Sequence, residues 1–209
     1  MSEEAQQLPK EALPHVEFET KYKSSIDAML TFKEIAEAQA DLRKFVYVEG
    51  PDIYYWKDGM RKRHRRPSHN FEGGRAEVTL KLKPKGAWNN VQRKEFNWRV
   101  DGTPTEVIHE SLLAEGYEHE FTVWKTCHIY IYDDATIVFY SLADTTDGPR
   151  RGKYDHYIEI EANEDKMHET TAEQAWSVIR KYEKLLEPAG VNAQKRMDRS
   201  LPEIYGRKK

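Results

Sequence analysis

The sequence predicts an α+β fold dominated by strands. Three observations carry that reading: short segments alternate at period two, three apolar stripes recur at helical spacing, and 209 residues suffice for one core but not for two ordinary domains. Residues 1–13 are polar and read as a flexible N-terminal arm, and residues 14–209 as a single domain. Basic and acidic residues number 33 and 36, a net charge of −3, so the global basic bias of a dedicated nucleic-acid binder is missing. With 33% charged and 38% hydrophobic residues the apolar core must be modest, which a charged interior or a very polar surface would each explain.

The elements follow in order. Residues 16–21 form a strand with Glu17, Glu19 and Lys21 on one face, because side chains two apart leave a strand together. Ser24 and Ser25 then cap a helix whose stripe is Ile26, Met29, Leu30, Phe32, Ile35 and Ala36. A turn at Lys57-Asp58-Gly59 leads into a strand over 60–65, with Arg61, Arg63 and Arg65 on one face and Lys62, His64 and Arg66 on the other. A polar loop over 66–75 leads to 76–83, where Val78, Leu80 and Leu82 oppose Thr79, Lys81 and Lys83. In 92–98, Arg93, Glu95 and Asn97 oppose Lys94, Phe96 and Trp98. A second helix follows Thr103-Pro104-Thr105, carries Val107, Ile108, Leu112 and Leu113, and stops at Gly116. Residues 121–127 align Phe121, Val123, Lys125 and Cys127, so Lys125 shares an apolar face. Residues 135–142 continue into Asp144, and 157–161 place Glu159 and Glu161 together. The last helix runs from about Thr171 to Glu187 on Ala175, Trp176, Val178, Ile179, Tyr182, Leu185 and Leu186, and ends at Pro188 and Gly190.

The two acidic strands, about 140 residues apart, are the chemical signal. Each E-x-E alone is most simply a wet strand face. Brought together, however, two carboxylates about 4 Å apart repel by roughly 4 kcal/mol at an effective dielectric near 20. A divalent cation removes that cost, and the intervening strands carry bases at the same i, i+2 spacing.

This ordered set resembles the CYTH, or triphosphate tunnel metalloenzyme, superfamily: an E-x-E-x-K first strand (Glu17, Glu19, Lys21), then paired Arg, paired Lys, R-x-E, and a closing E-x-E (Glu159, Glu161). The resemblance runs from about Pro14 to Tyr205 and includes the ending 199–205. It implies an eight-stranded antiparallel β-barrel, open at both ends, with helices outside and a hydrophilic tunnel that binds a triphosphate. Three departures stand out. The segment 45–56 only approximates the strand that relatives have there. Lys125 is followed by Thr126, Cys127 and His128 where a second base often stands, which leaves His128 as a substitute contact, and the loop 66–75 is either a gate or plain surface.

The resemblance implies a phosphohydrolase that cleaves the terminal phosphate of an inorganic or organic triphosphate: tripolyphosphate, a nucleoside triphosphate or thiamine triphosphate. Glu17, Glu19, Asp144, Glu159 and Glu161 would hold Mg²⁺ or Mn²⁺. Lys21, Arg61, Arg63, Lys81, Lys83, Arg93 and Lys125 would grip phosphate oxygens, with Glu17, Glu19, Lys21, Glu159 and Glu161 as the catalytic set. On this reading Glu19→Gln and Lys81→Met abolish turnover with little unfolding. The alternatives are a class IV type adenylate cyclase, an RNA 5′-triphosphatase that uses the outer bases Lys62, His64 and Arg66, and a binding module without turnover.

The single Cys127 excludes a disulfide within the chain and a multi-cysteine metal site, and it reads as a tunnel-wall residue rather than a nucleophile. The histidines fall at unrelated spacings, and the isolated Gly73-Gly74 pair does not make a phosphate-cradling loop. No stretch reaches the roughly 18 apolar residues of a membrane span, and the N-terminus lacks the apolar segment of a signal peptide, so a cytoplasmic location without membrane attachment is expected. Oligomeric state leaves no mark in the sequence.

Overall fold

The computed structural model describes residues 13–67, 76–82, 92–146, 154–163 and 171–206, with backbone alone for 13–15, 92 and 93. Eight strands close into an antiparallel barrel: β1 (Leu13–Ser24), β2 (Leu42–Lys57), β3 (Met60–Arg65), β4 (Glu77–Lys81), β5 (Gln92–Arg99), β6 (Glu118–Tyr132), β7 (Ala135–Asp144) and β8 (Asp155–Ala162). Their order around the barrel is β1-β5-β4-β3-β2-β6-β7-β8, so β1 closes the ring between β5 and β8. Four helices lie among the described residues: α1 (Ala28–Glu37), α2 (Thr105–Ala114), α3 (Ala172–Leu185) and α4 (Leu201–Tyr205).

Local chemistry sets several boundaries. Asp58 (φ 48°) and Gly59 (φ 81°) both occupy the left-handed region, as a two-residue hairpin turn with the twist of its strands requires. Helix α3 opens on a capping box in which Gln174 N donates to the Thr171 hydroxyl and Gln174 Oε1 accepts from Thr171 N. The first helix starts later than Ser25 suggests: Ala28 N donates to Ser25 Oγ at 3.3 Å, and the helical residues begin at Ala28.

The apolar core lies mostly outside the barrel wall. Helices α1 and α3 cover the outer faces of β1 and β6–β8, where Phe32, Tyr22, Phe139, Ile160, Ile179 and Tyr182 are buried together. Helix α2 covers β2–β5 through Ile108 and Leu112 on Tyr55, Val78 and Val100. A third cluster lies inside, where Phe121, Val123, Tyr140 and Leu142 of β6 and β7 meet Tyr54 and Leu201. The rest of the inner wall, on β1, β3–β5 and β8, is charged. A barrel of this size ordinarily fills with side chains, so filling it with ions demands compensation.

Candidate functional site

The strands bring the sequence-predicted acids and bases around one cavity of about 420 Å³, lined by Glu17, Glu19, Lys21, Arg61, Arg63, Lys81, Lys125, Glu159 and Glu161. Register explains the gathering. Antiparallel pairing sets Glu19 opposite Glu161 and Lys21 opposite Glu159 across β1 and β8. On the other side Lys81 stands opposite Glu95, and Arg63 opposite Thr79.

Nearly every base is held by an acid. Lys21 Nζ lies 2.7 Å from Glu159 and 3.8 Å from Glu19. Lys81 bridges Glu17 at 2.8 Å and also pairs with Glu95. Arg63 donates to Glu77 at 2.9 Å and to the Thr79 hydroxyl at 3.1 Å. Arg65 forks onto Asp52 at 2.7 and 2.8 Å. Lys125 sits 3.8 Å above the Tyr140 ring and 3.8 Å from Glu159, and the Tyr140 hydroxyl donates to Glu159 at 3.1 Å. Near the mouth, a register shift in β6 leaves Glu120 as the extra residue between His119 and Phe121, and Arg61 forks onto it at 2.7 and 3.0 Å.

Two carboxylates of one strand therefore differ. Burial raises the pKa of both, but Lys21 and Lys125 overcome it at Glu159 and hold that group well below its ordinary value. At Glu161 burial is reinforced by Glu17 and Glu19, and its carboxyl is pushed well above the usual range. Among the described residues no ion pair to Glu161 occurs. The like-charge cost anticipated from the sequence is thus concentrated on one side chain.

The C-terminal segment completes the wall. Met197 N donates to Lys21 O at 2.8 Å, Arg196 forks onto Glu183 and stacks 4.7 Å from Trp176, and the chain then turns inward. Ser200, Leu201, Pro202 and Glu203 line the cavity, while Tyr205 stacks on Phe121 and donates to Asp155 at 2.6 Å. A Ser200–Glu203 capping box fixes the start of α4.

No protein-family model matches this sequence, and no curated protein matches it significantly. Solved structures do match in shape. A protein from Pyrococcus horikoshii superposes with a TM-score of 0.64 at 16% identity, over 88% of this chain and 96% of its own. A Bacillus halodurans protein assigned provisionally as an adenylate cyclase gives 0.59 at 14% identity, over 92% and 98%. The fold is CYTH-like. The same shape also serves a chain of the Schizosaccharomyces pombe Mediator head module, with a TM-score of 0.58 at 13% identity over 83% of this chain and 96% of that one, so the barrel does not by itself specify chemistry.

Among the described residues, Asp144 is the expected site residue that does not line this cavity. Asp144 is exposed at the end of β7, where its carboxylate accepts from the Thr146 amide and hydroxyl, so strand alternation had carried it one step past the wall. Lys83 lies outside the described residues, and Arg93 is described by its backbone alone, opposite Glu17. His128, a candidate substitute contact, faces outward between Phe45 and Tyr47 rather than into the tunnel. The outer bases of β3 are not an exposed patch either: His64 is 1% exposed and Lys62 7%, and Lys62 packs 4.6 Å from the Tyr117 ring.

Other lining residues escaped the sequence reading. Arg65 and Glu95 were visible as partners in alternating strands, yet neither was singled out for the site. Glu77, Asp52 and Tyr140 gave no local signal, because tertiary register alone brings them to the tunnel, whereas the ending 199–205 was matched to the family without being given a place in the site.

Proposed function

We propose that the tunnel binds a triphosphate together with Mg²⁺ or Mn²⁺ and hydrolyses its terminal phosphoanhydride bond. The observation that carries this reading is the paired state of the wall: inserting a bare polyanion would strand the carboxylates, and inserting a bare cation would strand the bases. A ligand that brings both signs exchanges partners on both sides at once.

The donor set fits a hard divalent cation, since it is all carboxylate, and the elevated Glu161 pKa marks a place where positive charge is lacking. Among the described residues no group of three or more His, Cys, Asp or Glu already converges on a metal position. Mg²⁺ is usually bound by one or two carboxylates plus substrate phosphates and water. Glu17, Glu19, Glu159 and Glu161 would hold it. When bound, the metal supplies charge neutralisation at the transferring phosphoryl group and a lowered pKa for attacking water.

The chain's own residues do the rest. Lys21, Arg63, Lys81 and Lys125 hold phosphate oxygens and stabilise the charge that builds on the leaving diphosphate, with Arg61 acting from the mouth. Lys83 and Arg93 belong to the same proposed set. Asp144 is left out, because its carboxylate closes a turn at the surface. Cys127 is no nucleophile: burial pushes its thiol pKa up.

The test is phosphate release from tripolyphosphate, ATP and thiamine triphosphate with Mg²⁺ or Mn²⁺, with Glu19→Gln as control. Release by the native protein and its loss in the variant is expected. Cyclic AMP with diphosphate would replace this reading by a cyclase, and tight binding without turnover by a binding module. Among the described residues no helix is long and apolar enough to cross a membrane.

A further inference from the structure

Lys125 is the exception in the inner wall. Every other described base that lines the charged cavity has a carboxylate within hydrogen-bond distance: Lys21 at 2.7 Å, Arg61 at 2.7 Å, Lys62 at 2.5 Å, Arg63 at 2.9 Å, Arg65 at 2.7 Å and Lys81 at 2.8 Å. The Lys125 ammonium lies 3.8 Å from Glu159 Oε2, too far for a hydrogen bond, although its side chain is only 9% exposed. It rests instead on the face of Tyr140, 3.8 Å from the ring centroid.

Tyr140 is held rigidly for this task. It is fully buried on β7, its ring stacks on Tyr157 of β8 with centroids 5.3 Å apart, and Phe121, Val123 and Leu142 share its apolar cluster. Its hydroxyl donates to Glu159 Oε1 at 3.1 Å, the same oxygen that Lys21 holds at 2.7 Å, so two donors occupy that oxygen and Oε2 is the one turned toward Lys125. Without the ring, the ammonium would be free to close onto Oε2 and become a committed pair like that of Lys21. An ammonium carries three N–H donors, so it can meet a phosphate oxygen while the ring keeps its place beneath it. We infer that Tyr140 is a positioning residue, behind the cavity rather than on its surface: the ring seats Lys125, the hydroxyl holds Glu159 aside, and this one base stays uncommitted until a phosphate arrives. This rests on the triphosphate reading above and gives the exchange of partners a starting point, since Lys125 is the base with no close carboxylate pair to break.

The experiment measures kcat and KM for tripolyphosphate with Mg²⁺, or Kd where no turnover occurs. Tyr140→Leu removes the ring and is expected to raise KM or Kd about tenfold while kcat changes less. Tyr140→Phe keeps the ring and is expected to raise it less than the leucine variant does. The deciding readout is a double-mutant cycle: in a Lys125→Gln background Tyr140→Leu is expected to move the constant by less than about twofold, because the ring then has no ammonium to seat. Tyr140→Met asks the same question should the leucine variant fail to fold. Should neither fold, pentafluorophenylalanine at position 140 keeps the shape, turns the ring face electropositive and carries the same expectation. An unchanged constant in a folded ringless variant, an equal loss in both backgrounds, or a phenylalanine variant as weak as the leucine one overturns the role of Tyr140 and leaves the tunnel reading standing. Failure of the native protein to bind tripolyphosphate, ATP and thiamine triphosphate alike overturns both.

Discussion

Glu17, Lys21 and Lys125 on the inner side of the barrel wall and His64 on its outer side are all buried, and they are treated in opposite ways. On the inner side Glu17, Lys21 and Lys125 are 7%, 7% and 8% exposed, and each stands against an opposite charge. On the outer side His64, 1% exposed, has neither ring nitrogen hydrogen-bonded, and burial with the nearby Arg66 pushes its pKa down to about 4. Burial therefore preserves charge where a partner is built in and extinguishes it where none is. Stability comes chiefly from the apolar clusters beneath the helices, whereas the inner wall keeps an arrangement of ions that a ligand can exchange.

The comparison breaks most severely at Lys81. Its ammonium compensates both Glu17 and Glu95, so Lys81→Met leaves two inner carboxylates without it. Removing one partner of a buried pair costs about 3–5 kcal/mol, less where the carboxylates left behind can take up a proton or water. Urea unfolding is expected to show a loss of that order, and turnover to fall roughly 100- to 1,000-fold. The sequence reading expected lost turnover with little unfolding, because it counted the repulsion among bases and not the two acids that share this one. A variant as stable as the native protein would show that the inner pairs contribute little to folding.

A milder test addresses the outer side through pH. His64 has a lower pKa folded than unfolded, so between about pH 6.5 and pH 4 the unfolded chain binds a proton that the native one does not. Stability is thus lost as pH falls through that window, by about 3 kcal/mol in total for a shift of this size. His64→Leu is expected to flatten that part of the urea-midpoint profile relative to the native protein. Parallel profiles would mean that His64 is protonated in place.

These two residues also show what the sequence could reveal. Strand alternation assigned the faces of β3 correctly, and the family resemblance carried by the ordered acidic and basic strands implied the eight-stranded barrel that is found. The same alternation could not say which face was wet: Lys62 and His64 read as exposed bases, yet Trp98, Glu115 and Tyr117 cover Lys62, and His64 is 1% exposed. Partnership was equally hidden, because Asp52 with Arg65 and Glu95 with Lys81 are matched by register between strands. The closure at the mouth depends on Arg196 anchoring to Glu183 before α4 begins, a contact between segments with no shared motif.

The smallest expected change in stability sharpens the contrast most, and it falls at Glu161. Burial together with Glu17 and Glu19 pushes the Glu161 carboxyl pKa well up, toward the neutral form that glutamine mimics in shape and charge. Glu161→Gln should therefore leave unfolding free energy within about 1 kcal/mol of native, the range of a single neutral hydrogen bond. A carboxylate needed only when a cation arrives behaves differently on addition of Mn²⁺ with tripolyphosphate. The native protein then gains stability by linkage, whereas the variant gains less and turns over at least about tenfold more slowly. Thermal melts with and without the pair of ligands separate the cases: equal gains in both proteins would remove Glu161 from the metal site, and a large loss without ligand would make it a structural residue of the wall.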